Sequence, residues 1–157
     1  GFHDVFGRFN EAEGRFTYDE AENSLTALDV TIQTASVDTG LKKRDAHVRD
    51  ADFLNVEAHP TMTFTLTEAT AETATQGTVT GDLTLNGVTR PVTLAVTLNK
   101  AAKYPFSTGL FSGKPYVLGI SARGTLNRSD FGITYGVDNG LVGDEVHLII
   151  ELEARRQ

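Results

Sequence analysis

The sequence predicts an all-β fold of antiparallel strands with one short helix, and three observations carry that prediction. Residues 76–99 alternate apolar and polar on both sides of Asn86-Gly87, a dipeptide suited to the positive φ of a tight type I′ turn. Further runs along the chain repeat the same period of two. Residues 41–54 break that period with a narrow helical stripe.

The hairpin fixes its own register. With a two-residue turn, Leu85 faces Val88, Leu83 faces Arg90, Gly81 faces Val92 and Val79 faces Leu94. Thr84 then opposes Thr89, and Thr80 opposes Thr93, on the other side. Val79, Leu83, Leu94 and Val96 are expected inside, with Thr80, Thr84 and Thr93 in solvent. Arg90 falls on the apolar parity close to the turn, so it belongs at a rim. Pro91 lies opposite Asp82, and its missing N–H must fall at an edge, a strand end or a bulge.

In chain order, residues 1–10 read as a strand with Val5, Gly7 and Phe9 on one parity. A short turn leads to Gly14–Asp19, which carries Phe16 and Tyr18, and the acidic segment 19–23 forms a second turn. From Leu25 onward Leu28, Val30 and Ile32 alternate with Asp29, Thr31 and Gln33, the pattern of a half-buried strand. Leu41, Val48, Ala51 and Leu54 form the helical stripe, and Asp45 and Arg49 are spaced as a surface pair. This helix is expected to lie across a sheet end, packed by Val48, Ala51 and Leu54, with Phe53 at the opening. Met62, Phe64 and Leu66 resume the alternation. Lys100–Pro115 is the longest irregular stretch, followed by strands at 117–126 and 145–153. One domain of about seven alternating strands, spanning residues 1–157, must stack as a sandwich or close as a barrel.

Composition excludes some functions. A net charge of −7 argues against nucleic acid, which needs a basic face; the lone cationic cluster is Lys42-Lys43-Arg44. No apolar run is long enough for a transmembrane helix. No signal-peptide pattern opens the sequence, although processing removes such segments. The absence of cysteine removes disulfides, thiolate metal sites and cysteine nucleophiles. His3, His47, His59 and His147 show no close ligand spacing, and the 138–140 loop lacks the oxygen spacing of a calcium site. Ser112 and Ser129 sit in no nucleophile-elbow context, so no catalytic residue is assigned.

Three stretches resemble the YceI family: residues 44–53 (RDAHVRDADF) with Pro60 and Phe64; the hairpin at 81–94; and 127–132 (NRSDFG) with 142–146 (VGDEV). The resemblance runs in order along nearly the whole chain. It implies an eight-stranded antiparallel, lipocalin-like β-barrel, with a further strand upstream of the segment beginning at Gly1. It also implies a long apolar ligand in the lumen, typically a polyisoprenoid such as ubiquinone or a prenyl diphosphate, and a periplasmic or secreted location. No cofactor is implied beyond such a bound lipid or quinone, and a homodimer is left open.

Phe9, Phe16, Val30, Ile32, Met62, Phe64, Leu83, Leu94, Ile120, Leu148 and Ile150 are the inward positions that would line a tunnel, with Phe53 at its mouth. A dry, filled core is the alternative use of the same residues. Arg44, His47 and Arg49 would meet a polar headgroup, or else join Asp45 in an ion-pair network that pins the helix. Arg128 and Asp130 read as a loop-fixing pair beside Phe131. Two other functions stay open: a carbohydrate-binding or adhesion module using Tyr104, Tyr116 and Tyr135, and an isomerase or hydrolase acting on a lipid in the same cavity.

Overall fold

In the computed structural model, residues 5–19, 24–73, 75–103, 116–137 and 143–156 are described. Nine strands form one sheet: β1 Val5–Phe9, β2 Ala12–Asp19, β3 Ser24–Gln33, β4 Val37–Asp38, β5 Thr61–Ala71, β6 Gln76–Leu85, β7 Val88–Lys103, β8 Tyr116–Asn127 and β9 Glu145–Arg156. Among the described residues one α-helix, α1, spans Lys42–Arg49.

The sheet closes on itself in the order β2-β3-β5-β6-β7-β8-β9, with β9 returning to β2. That ring has seven staves, not eight. β1 and β2 run successively along the same edge of β9, with Val5 opposite Val146 and Glu13 opposite Glu153. They act as one stave broken near Asn10 and Glu11. The count has a geometric consequence: in an up-and-down meander of seven, the first and last strands run the same way. The closing pairs, β1–β9 and β2–β9, are accordingly parallel, and the expectation of purely antiparallel pairing is corrected there.

The central hairpin forms in the predicted register from Leu85↔Val88 to Gln76↔Thr97. Asn86 (φ 54) and Gly87 (φ 74) take the positive φ values that the turn demands. Val79, Leu83 and Leu94 are buried and Thr93 is exposed, whereas Val96, Thr80 and Thr84 are half-buried. Thr80 and Thr84 lie on β6, flanked by β5 and β7, and their hydroxyls pair with Thr93 at 2.9 Å and Thr89 at 2.8 Å. Arg90 is exposed. Pro91 lies in the part of β7 that precedes its pairing with β8, which begins at Ala95, so its missing N–H interrupts no ladder.

β7 also runs further than expected. The β7–β8 register shifts between Leu98 and Lys100, and pairing then resumes to Lys103↔Tyr116. Residues 100–103, expected as loop, are therefore strand; residues 104–115 lie outside the described set. Side chains on the inward parity form a continuous buried core, with Ile32, Met62, Leu83, Phe131 and Ile150 almost completely enclosed.

Where β3 and β5 part company, residues 34–60 fill the end of the barrel. Thr34 stands at the fork: its N–H donates to the Pro60 carbonyl at 3.0 Å and its hydroxyl to the His59 carbonyl at 2.8 Å. The predicted helix over 41–54 is shorter in the structure. Asp50 leaves helical geometry (ψ −176), and its carboxylate accepts the Asp52 N–H at 2.9 Å, a local bond that competes with helix continuation. Asn55, at φ 48, then reverses the chain. Ala51, expected in the packed stripe, is exposed as a result. Val48 remains half-buried and Leu54 buried, linked by the Leu54 N–H to the Val48 carbonyl at 2.9 Å.

Candidate functional site

Among the described residues, two unequal spaces open in the interior. The larger, about 310 Å³, opens at the helix end. Its strand walls are Gly7 and Phe9 from β1, Val37 from β4, Met62 from β5, Leu85 from β6, Leu126 from β8, and Val146 and Leu148 from β9. Val48 from α1, Phe53 and Leu54 from the following turns, and Ile133 complete the apolar lining. Polar side chains, Thr39, Arg44, His47 and Arg128, come only from the segments around the helix and the 128–133 turn. Deeper in the barrel is a slot of about 20 Å³, lined by Val30, Phe64, Leu94, Ile120, Ile150 and neighbours.

This division sorts the sequence-predicted positions. Phe9, Phe53, Met62, Leu148, Arg44 and His47 are brought together around the chamber. Val30, Phe64, Leu94, Ile120 and Ile150 surround the slot. Phe16, Ile32 and Leu83 are buried in the packed core and line neither space. Arg49 does not reach the chamber. Its Nε donates to the Ala35 carbonyl at 2.9 Å and its Nη2 to the Val37 carbonyl at 3.1 Å, tying the helix to the free edge of β4.

The other mouth residues are held as firmly. Arg44 donates to the Thr39 hydroxyl at 2.7 Å and to the Thr39 carbonyl. Asp45, expected as the surface partner of Arg49, is buried and accepts bonds from the Thr39 N–H (2.8 Å) and hydroxyl. Burial pushes the Asp45 pKa up, but the Thr39 bonds, with Arg49 and Arg44 nearby, outweigh it and hold the carboxyl below its ordinary value. The polar end of α1 is therefore a network that positions the helix.

On the opposite side of the mouth, Arg128 is buried and lies over the Phe53 ring, 5.3 Å from its centroid. Its guanidinium donates to the carbonyls of Gly143 (2.9 Å), Tyr135 (3.2 Å) and Ile133 (3.3 Å). Burial lowers its pKa, opposed by Asp144. The loop-fixing role expected of Arg128 thus appears with different partners: Asp130 is exposed, and Asp144 is the acid that organises the turn. Asp144 accepts the Ser129 N–H at 2.8 Å and the Ser129 hydroxyl at 2.7 Å, bonds that depress its pKa. Ser129 is consequently part of a turn cap. Ser112 and the 138–140 loop lie outside the described residues.

His47, Phe53 and Tyr135 pack mutually edge-to-face, with centroids 4.9, 5.1 and 5.3 Å apart. His47 Nε2 also lies 2.9 Å from Asp52 Oδ2 and 3.9 Å from Asp50 Oδ2, an exposed convergence that linear spacing did not reveal. Of the aromatic residues considered for carbohydrate recognition, Tyr135 is exposed and sits in this cluster; Tyr104 and the Tyr116 side chain fall outside the described set. The sequence reading did not assign Gly7, Val37, Thr39, Leu85, Leu126, Ile133 or Val146 to the chamber lining. Leu126 and Val146 carried an inward-parity signal, whereas Ile133 sits in a turn with no period to expose it.

Comparison with known proteins agrees with this architecture. A family model described as a YceI-like domain matches residues 1–154. A UPF0312 protein of Pectobacterium carotovorum is 43% identical over 157 residues, covering all of this chain and 77% of the relative. Protein YceI of Salmonella arizonae is 41% identical with the same coverage. Among solved structures, the Campylobacter jejuni YceI protein superposes with a TM-score of 0.73 at 31% identity, covering 98% of this chain and 85% of the other. Burkholderia cenocepacia BcnA superposes with a TM-score of 0.66 at 26% identity, covering 91% and 82%. A full-length family match, relatives above 40% identity and the seven-stave barrel converge on one conclusion: this chain belongs to the YceI family.

Proposed function

We propose that the protein binds an isoprenoid-type lipid, as a carrier or reservoir, with the apolar chain in the larger chamber and the polar end at the α1 mouth. One observation carries the reading: a cavity of about 310 Å³ whose walls are apolar while its polar groups gather at one opening. A chain buried there gains about 25 cal/mol per Å² removed from water. The volume is about twice the ~150 Å³ that accommodates a benzene, so it suits on the order of two or three isoprene units. A longer tail would extend beyond the chamber.

The mouth favours a neutral head, such as a quinone, over a diphosphate. Its guanidinium groups among the described residues are Arg44, which already donates to the Thr39 hydroxyl and carbonyl, and Arg128, which donates to the carbonyls of Gly143, Ile133 and Tyr135. These bonds fix the orientation of both guanidinium groups, which leaves each less free to turn towards a phosphate. The test is thermal: a prenylated quinone is expected to raise the melting temperature by linkage, and a prenyl diphosphate of equal tail length to raise it less. Failure of both to shift the melt, together with no lipid in an organic extract of the purified protein, would refute the reading.

A further inference from the structure

The first residues of α1 are poorly chosen for starting a helix. Leu41 holds the N-cap position, in extended geometry (φ −128, ψ 120), and provides no side-chain cap. Ser, Thr, Asp or Asn would serve there, because a side-chain oxygen can accept an orphan N–H. Lys42 and Lys43 follow, placing two cations at the positive end of the helix dipole. Both are exposed and have no ion pair among the described residues. Three consecutive choices that oppose local stability point to another demand on the same residues.

The surroundings indicate what that demand is. Leu41 is 58% exposed, and the other exposed large apolar residue among those described is Tyr135, at 45%. Neither lines the chamber itself, but each adjoins residues that do. Tyr135 packs on His47 and Phe53, which line the chamber, and Leu41 begins the helix that supplies Arg44, His47 and Val48 to it. The protein as a whole is acidic, with a net charge of −7, yet its cationic cluster falls on this rim.

We propose that the rim formed by Leu41, Lys42, Lys43 and Tyr135 docks on an anionic phospholipid bilayer. Leu41 inserts at the interface, Tyr135 sits at headgroup depth, and the two lysines face the phosphates. The net negative charge of the chain opposes indiscriminate adsorption to such a surface. The proposal rests on the lipid reading of the chamber for its purpose: docking brings the opening against the phase in which such a ligand dissolves.

Flotation with vesicles of phosphatidylglycerol and phosphatidylcholine in equal parts, at low salt and without quinone, tests it. The protein is expected to float with these vesicles, to be released by added salt, and not to float with pure phosphatidylcholine. Lys42→Glu/Lys43→Glu should reduce flotation at least several-fold. Arg15→Glu/Arg123→Glu changes the net charge equally at exposed positions of β2 and β8 and should retain it. Leu41→Ser should weaken flotation while holding or raising the melting temperature, because serine is the better cap; a leucine with a purely structural role would lower the melt when removed. Equal loss in both double variants, no flotation of the unmodified protein, or a dimer abolished by Leu41→Ser in place of vesicle binding would overturn the proposal. For the unmodified protein, no flotation with quinone stabilisation present overturns docking alone, and flotation without quinone stabilisation overturns the chamber reading alone.

Discussion

Phe64→Ala offers the sharpest test of the divided interior. Met62 lines the chamber, and Phe64, two residues further along the same face of β5, lines the slot, so the phenylalanine stands at the boundary between them. The ring is 2% exposed and lies over Gly81, where a Cβ would come within 2.5 Å of its Cζ. Truncation loses a burial contribution of about 1.5–3 kcal/mol. A further ~24 cal/mol is lost for each Å³ of cavity that fails to collapse, for a total of about 3–5 kcal/mol. In a domain of this size that lowers the melting temperature by roughly 10 °C. The void also joins slot to chamber, and each methylene of a ligand that enters it recovers up to about 0.8 kcal/mol. Titration calorimetry with quinones of increasing tail length should therefore show affinity levelling off early in the natural protein and continuing to rise in Phe64→Ala. An unchanged melt would refute the packing argument, and identical tail-length profiles would refute the boundary at Phe64.

Two further outcomes follow from the charged groups. Asp144 has its pKa depressed by the Ser129 bonds, so it contributes stability that is complete above the ordinary aspartate value of 3.8 and is lost as pH falls through its lower folded value. Asp144→Asn should lower stability at neutral pH and flatten the acid limb of a melting-temperature profile; an unaltered limb would show that the carboxylate does not couple to folding. Arg128→Met should cost about 2–4 kcal/mol, since it strips the donor from the carbonyls of Ile133, Tyr135 and Gly143, and chemical denaturation measures that loss.

What the sequence made legible was local. At Asn86-Gly87 the turn chemistry and the side-chain period demand the same register, and ten cross-strand pairs follow from it. The end of α1 was hidden because the Asp50 carboxylate competes with the helix for an N–H, an effect that apolar spacing does not register. Arg128 was read with Asp130 because the two are close in sequence, whereas the folded turn gives the guanidinium Asp144, the residue just before β9. Inward parity identified most of the interior side chains. It could not say that Phe64, Ile120 and Ile150 would nearly close the barrel while Met62, Leu85 and Leu148 left room, because that depends on which side chains meet across the lumen.

The parallel seam has a consequence for how the barrel forms. Hairpins such as β6–β7 bring together residues a few positions apart, but Val5 must find Val146 and Phe16 must find Arg156 across nearly the whole chain. Loop-closure entropy places such contacts late, after the meander from β2 to β9 has assembled as an open curved sheet. In that open state β2 and β9 each present an unpaired edge and the apolar interior faces solvent. Topology alone thus makes the seam the last part of the wall to form and the moment before its closure the one most exposed to aggregation.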